Sequence, residues 1–170
     1  MEAVSYLKGT EGLRLVIIGG DEDSDDAVTW LKEITGELNL KDRVTFHGLV
    51  KHSELPLYYS AADVTVVPSY YESFGLVALE SLACGTPVVA TDVGDMSNII
   101  RQGETGYVVP DNDPRELADK ISTILSKSNN KVESALAIRE SINRYDWSNI
   151  AEMISKEFYQ VSNQTLTSVA

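Results

Sequence analysis

Two glutamates stand eight positions apart in a strongly apolar stretch, YYESFGLVALESLACGTPVVATD, at residues 70–92. If a helix begins near Leu76, Glu80 lies one turn inside it and Glu72 stays in the preceding loop; five helical residues alone span roughly 8 Å. Carboxylates so far apart are poorly placed to act on one bond as an acid and base pair. They suit an elongated ligand with hydroxyls at each end and phosphates between, and a sugar nucleotide has that shape.

The segment between the two glutamates has the features of an anion site. In open α/β sheets, ligands bind beyond the carboxyl ends of the strands, where loops lead into helix N-termini. The run DVTVVP ends at Pro68, which cannot continue a central ladder, and Gly75 permits a close backbone approach. Free N–H groups at a helix start bind phosphate. The sequence therefore predicts a phosphate cradle formed by the amides of Ser73, Phe74, Gly75, Leu76 and Val77.

Short β-branched runs alternate with helical patterns along the chain. The predicted strands are LRLVII (13–18), RVTF (43–46), DVTVVP (63–68), PVVAT (87–91) and GYVVP (106–110). The predicted crossover helices are DAVTWLKEITGELNL (26–40), SELPLYYSAA (53–62), LVALESLAC (76–84) and DMSNIIRQ (95–102). Apolar strands joined by helices predict an α/β fold: a Rossmann-like, doubly wound parallel sheet of about five strands with helices on both faces.

The C-terminal part of the chain is predicted to be helical. Asp113 is placed as an N-cap with Pro114 at the first helical position, and two further helical patterns follow to about residue 161. The last residues, NQTLTSVA, lack periodicity. We therefore expect one domain over residues 1–161 and a frayed tail over residues 162–170.

Size and composition fit one globular domain. The chain has 170 residues, of which 43% are hydrophobic and 24% charged. A net charge of −12 argues against a nucleic-acid partner, because binding to its backbone depends on Lys and Arg. It does not argue against a small anionic ligand at a helix N-terminus. A membrane span is not expected, because no run of about 18 apolar residues is present.

Cysteine use and the start of the sequence favour the cytoplasm. A single cysteine, Cys84, cannot form an internal disulfide, and its neighbours Ala83 and Gly85 favour a small buried side chain over a nucleophile. The first residues do not combine basic charge with a long apolar run, as a leader would.

Other polar motifs have simpler interpretations. DEDSDD (21–26) could be a metal site or a phosphorelay pocket, but we favour an acidic turn that caps the next helix. A phosphorelay receiver also needs an aspartate at the end of the third strand, and VVPSY has none. His47 and His52 stand far from any cluster of metal ligands, and His47 is interpreted as a satisfied residue at a strand end.

Three further pairs of residues are less informative. The Tyr58-Tyr59 and Tyr70-Tyr71 pairs are expected to pack or to line a pocket wall. Gly19 and Gly20 after the first strand fit a nucleotide contact and a plain strand-ending turn equally well.

The segment PSYYESFGLVALESLACGTPVVATDVG resembles the retaining glycosyltransferases of family 4, which have the GT-B fold and an E-x7-E signature. The resemblance runs from about Glu2 to Tyr159, and it is strongest to the sucrose-phosphate synthase and mycothiol-pathway branches. It also includes LRLVIIGG, DRVTFHGLV, YYSAADVTVVPS, GETGYVVP and YDWSNIA. The resemblance implies that this chain is the donor-binding half of a GT-B fold.

The resemblance implies roles for the residues singled out above. Glu72 meets the donor sugar and supports positive charge near the anomeric carbon, while Glu80 accepts hydrogen bonds from the ribose. The turn at Leu49 and Val50 contacts the base through its backbone. The amides of residues 73–77 bind the diphosphate and a sugar hydroxyl. The donor is a nucleotide-sugar, UDP-glucose or a related UDP-sugar, and neither a metal nor another cofactor is expected.

The chain also departs from the family pattern. The family domain begins with a strand and a loop whose basic pair neutralises the leaving diphosphate, whereas this chain starts inside the helix that follows. The acceptor-binding N-terminal domain is not included, and Asp95 follows Gly94 where relatives often have Gly-Gly. Two hypotheses follow: the donor-binding domain of a glycosyltransferase, or a non-catalytic domain that binds nucleotide or a protein partner.

Overall fold

The computed structural model describes residues 1–20, 26–127 and 131–167. The strands are β1 (Leu15–Ile18), β2 (Val44–Gly48), β3 (Thr65–Val67), β4 (Val88–Thr91) and β5 (Gly106–Val109). The helices are α1 (Glu2–Tyr6), α2 (Asp26–Glu37), α3 (Leu55–Ala61), α4 (Leu76–Ala83), α5 (Met96–Ile99), α6 (Pro114–Ser126), α7 (Lys131–Ser141) and α8 (Trp147–Thr167). Short 3₁₀ turns occupy His52–Glu54 and Asn143–Tyr145.

The predicted α/β class is confirmed. Every strand pairs in parallel with its neighbour: β1 with β2, β3 with β4, and β4 with β5. All five predicted strands are present, each trimmed or shifted by a few residues. Among the described helices, none is both long and apolar enough to cross a bilayer.

Helices cover both faces of β4, the most buried strand. Val88 and Ala90 point into a hydrophobic cluster built with residues of α4, α5 and α7, whereas Val89 points into a second cluster with residues of α1 and α6. Because successive strand residues point to opposite faces, this division places helices on both sides, as a doubly wound sheet requires.

The strands form two ladders, β1-β2 and β3-β4-β5, rather than one continuous sheet. The doubly wound strand order is 3-2-1-4-5-6. In that order β2 and β1 correspond to positions 3 and 2, and β3, β4 and β5 correspond to positions 4, 5 and 6. No described strand fills position 1, and β1 and β3 therefore each keep a free edge. The exposure of the residues agrees with a free edge at β1, since Val16 in β1 is 48% exposed, whereas every residue of the central strand β4 is buried.

Helix boundaries follow local polar contacts. Asp113 is the predicted N-cap of α6: its side chain accepts hydrogen bonds from the amides of Arg115 (2.7 Å) and Glu116 (3.0 Å). Helix α5 is shorter than predicted, because Ile100 is extended and the Arg101 amide bonds the Thr105 hydroxyl at 2.9 Å. Helix α8 continues to Thr167, past the point where periodicity is lost. The acidic turn expected at residues 21–26 lies, apart from Asp26, outside the described residues.

Native-state amide hydrogen exchange tests the free edges. The Leu15 amide bonds the Arg43 carbonyl and the Thr65 amide bonds the Pro87 carbonyl, so the alternation of a parallel ladder turns the Val16 and Val66 amides to the free edges. We expect both to exchange about a thousandfold or more faster than the Val89 amide, whose release requires the core to open. Equal protection at all three amides would show that the edges are covered.

Candidate functional site

Helix α4 is held firmly against the β3-β4-β5 ladder. Ala78 and Leu82 are fully buried between the strands and α5. The Ser81 hydroxyl lies 2.8 Å from Thr65 Oγ1 and 3.0 Å from the Thr86 carbonyl oxygen, which joins the helix to the starts of β3 and β4. The helix begins at Leu76, as predicted, and its N-cap Gly75 has a φ of 120° that favours glycine.

The N-terminus of α4 presents a row of unpaired backbone amides. The Ala78 and Leu79 amides bond the Gly75 carbonyl at 3.0 and 3.2 Å. The five amides before them have no protein acceptor among the described residues, and they belong to Ser73, Phe74, Gly75, Leu76 and Val77. All of these residues except Gly75 are exposed to solvent. Orphan donors with the positive end of a helix dipole form a site for an anion.

Glu72 is held in the loop before the helix. Its Oε1 accepts a hydrogen bond from the Ser69 hydroxyl at 2.9 Å, and the Ser69 carbonyl in turn accepts one from Thr91 at 2.5 Å. The loop between β4 and α5 supports the loop that contains Glu72, because the Asp95 amide donates a hydrogen bond to the Phe74 carbonyl at 3.0 Å. Glu72 therefore lies beyond the carboxyl ends of β3 and β4, beside the amide row.

Glu80 is held in the second turn of the same helix. The Tyr59 hydroxyl donates to its Oε2 at 2.9 Å, and His52 Nε2 lies 3.3 Å from its Oε1. Burial raises the pKa of the Tyr59 hydroxyl, and the hydrogen bond to Glu80 raises it further. Tyr59 therefore remains a protonated donor at neutral pH.

The predicted base-contacting turn lies on the same side of the domain as Glu80. Leu49 and Val50 follow β2 directly; Leu49 is 79% exposed and Val50 is partly buried. Two residues further on, His52 contacts Glu80, which brings this turn towards the carboxylate. Gly19 bonds the Gly48 carbonyl at 2.8 Å, so the end of β1 also borders this region.

The structure adds two residues that the sequence did not point to. Tyr59 and His52 bond Glu80 from 21 and 28 positions away in the chain. The sequence predicts that the tyrosine pairs pack or line a pocket wall; in the structure each hydroxyl of the first pair also has a specific partner, since Tyr59 bonds Glu80 and Tyr58 bonds His47 at 2.7 Å. That bond gives His47 a hydrogen-bond partner, as predicted for a histidine at a strand end. Cys84 is only partly buried, because α4 ends at Ala83 and leaves it in the turn before Gly85.

Metal ligation has no candidate here: among the described residues, no three His, Cys, Asp or Glu side chains come together. The site is therefore an amide cradle between two oriented carboxylates, on a parallel α/β domain of the kind that binds nucleotides at its strand ends.

Comparison with known proteins identifies the family. The family of group 1 glycosyl transferases matches residues 1–142. The D-inositol 3-phosphate glycosyltransferase of Xylanimonas cellulosilytica is 35% identical over 164 residues, which are 96% of this chain and 39% of the relative. This chain belongs to the group 1 glycosyltransferase family.

Solved structures share the fold. Sucrose-phosphate synthase from Thermosynechococcus elongatus has a TM-score of 0.81 at 36% identity, over 96% of this chain and 42% of that one. Anabaena HepE, solved in complex with UDP-glucose, has a TM-score of 0.78 over 93% of this chain and 44% of that one. Its 24% identity shows the fold alone. The chain spans 39% to 44% of the length of these proteins.

Substitution of Gly94 tests how tightly the loop between β4 and α5 packs against the loop that contains Glu72. A methyl group there would lie 3.0 Å from the Glu72 carbonyl oxygen and 3.1 Å from that of Phe74. We expect Gly94→Ala to lower the free energy of unfolding by about 1 to 3 kcal/mol more than Gly103→Ala, measured by urea denaturation. Gly103 is the matched control, because it also has a positive φ but no neighbour closer than 4.0 Å. Equal losses of unfolding free energy in the two variants would show that the two loops can separate without lowering stability.

Proposed function

We propose that this chain is the donor-binding domain of a glycosyltransferase that transfers a hexose from a UDP-sugar to an acceptor hydroxyl with retention of anomeric configuration. The observation that carries the proposal is the row of five amides at the start of α4 that have no acceptor among the residues the structure describes, with an oriented carboxylate on either side. Family membership supports the class of reaction. HepE shares the fold and binds UDP-glucose, so uridine is the first nucleotide to test.

Each group takes one part of the donor in this proposal. The diphosphate lies against the amides of residues 73–77, where the helix dipole offsets its charge. Glu80 accepts hydrogen bonds from the ribose, and the backbone at Leu49 and Val50 contacts the base. Glu72 accepts hydrogen bonds from the sugar and stabilises the positive charge that develops at its anomeric carbon. Neither a metal nor another cofactor takes part.

The leaving diphosphate needs positive charge from elsewhere. The segment from Ser69 to Glu80 contains no lysine or arginine, so its own contribution is limited to backbone amides. We propose that a basic pair and an acceptor-binding domain, both in the rest of a longer parent protein, complete the site. Such a second domain also excludes water from the cleft and holds the acceptor.

Substituting the two glutamates separates their roles. We expect Glu80→Gln to weaken UDP binding by about 1 to 3 kcal/mol, because ribose hydroxyls lose a charged acceptor. Glu72→Gln should leave UDP binding nearly unchanged and weaken UDP-glucose, because only the sugar reaches it. Isothermal titration calorimetry with both ligands measures the difference, and EDTA should not alter either affinity.

Each variant is the control for the other, since both change one charge to an amide of the same size. Equal losses of UDP affinity in the two variants would contradict the division of roles. If wild-type protein fails to bind UDP, the choice of nucleotide is wrong; binding of nucleotide with no preference for any sugar form would favour a non-catalytic binding domain.

The chain by itself should not transfer sugar at a useful rate. Loss of one electrostatic element of an active site typically costs about 10²–10³ in rate, and this chain is proposed to lack both the basic pair and the acceptor domain. We expect incubation with UDP-glucose and sugar or sugar-phosphate acceptors to yield no glycoside by mass spectrometry. Clear turnover would place a complete site within these 170 residues.

A further inference from the structure

The Glu80 carboxylate has more acceptor sites than its protein partners use. An ionised carboxylate offers about four lone-pair positions, two on each oxygen. Tyr59 occupies one position on Oε2 at 2.9 Å, and His52 lies at one on Oε1 at 3.3 Å. The side chain is 34% exposed, so solvent reaches it. One position on each oxygen remains, which matches the two neighbouring hydroxyls of a ribose.

Tyr59 is the more firmly placed of the two partners. Its carbonyl oxygen accepts the Thr86 hydroxyl at 2.6 Å, which fastens α3 to the start of β4, and its ring is partly buried. His52, in contrast, lies in a 3₁₀ turn with 85% of its side chain exposed. An exposed histidine at 3.3 Å holds a carboxylate loosely, so Tyr59 sets the direction of Glu80.

We propose that Tyr59 is a positioning residue for nucleotide recognition, whose hydroxyl orients the Glu80 carboxylate before the ribose binds. The inference rests on the proposed function of this site. A glutamate has three rotatable bonds, and one that is free in the empty protein must be ordered when the ligand binds. Holding it in advance removes that cost.

Replacement of Tyr59 by phenylalanine isolates the hydroxyl. The Thr86 hydrogen bond uses the Tyr59 carbonyl and survives the change. We expect Tyr59→Phe to weaken UDP binding about three- to tenfold, the cost of ordering one side chain on binding. Tyr58→Phe is the matched control, because it removes a hydroxyl of the same helix that bonds His47 instead of Glu80. It should leave UDP affinity unchanged.

A nucleotide without ribose hydroxyls distinguishes positioning from a general structural effect. With 2′,3′-dideoxyuridine diphosphate, Tyr59→Phe should no longer reduce the binding affinity, since this ligand has no ribose hydroxyl that could donate a hydrogen bond to Glu80. In the Glu80→Gln background, Tyr59→Phe should likewise cause little further loss of UDP affinity. Calorimetry on the full chain, with thermal unfolding of each variant as a check on folding, gives all of these values.

The outcomes separate this inference from the function on which it rests. If wild-type protein binds UDP but Tyr59→Phe binds it equally well, or loses affinity equally for UDP and the dideoxy compound, the positioning role is overturned and the proposed function stands. If wild-type protein does not bind UDP, the choice of nucleotide in the proposed function is wrong, and the positioning role proposed for UDP recognition is overturned with it. If Tyr59→Phe does not fold, the double variant with Glu80→Gln decides: unfolding of that variant too would assign the hydroxyl a structural role.

Discussion

The position of helix α4 on its ladder is the constraint on which the candidate site depends. Ala78 and Leu82 are buried against β3 and β4, and Ser81 joins the helix to Thr65 and Thr86. With this face fixed, the first turn must project beyond the strands, where its amides have no protein acceptor in the described part of the chain. The same packing that stabilises the core therefore leaves a set of donors for a ligand.

This arrangement explains how a chain with a net charge of −12 can offer an anion site. Backbone amides and the helix dipole act within a few ångströms, whereas the acidic surface charges are screened by salt over about 10 Å. The two glutamates stand at opposite ends of the amide row and are held by different elements, Glu72 by the loop after β3 and Glu80 by α3. Neither depends on the other for its orientation.

The division of the strands into two ladders has a separate consequence. β1 and β3 carry apolar side chains and free backbone groups at edges that a continuous sheet would cover. The part of the domain with β1, β2 and the turn at Leu49 is therefore linked to the rest through packing of α1 on α6 and through contacts such as His52 with Glu80. At least one contact that joins the two ladders, between His52 and Glu80, thus also belongs to the candidate site.

Local sequence determined much of this protein. Alternation of β-branched runs with helical patterns predicted five strands, and the length of the helical connections between them predicted the parallel α/β class. Asp113-Pro114 predicted the start of α6 and Gly75 the start of α4, because a helix start depends on neighbours within a few residues. The tertiary structure alone decided which side chains hold Glu80. Tyr59 comes from α3 and His52 from the 3₁₀ turn before it, and no local pattern marks a hydrogen bond across 21 or 28 residues. It also decided that the strands form two ladders, since strand pairing is a contact between distant segments.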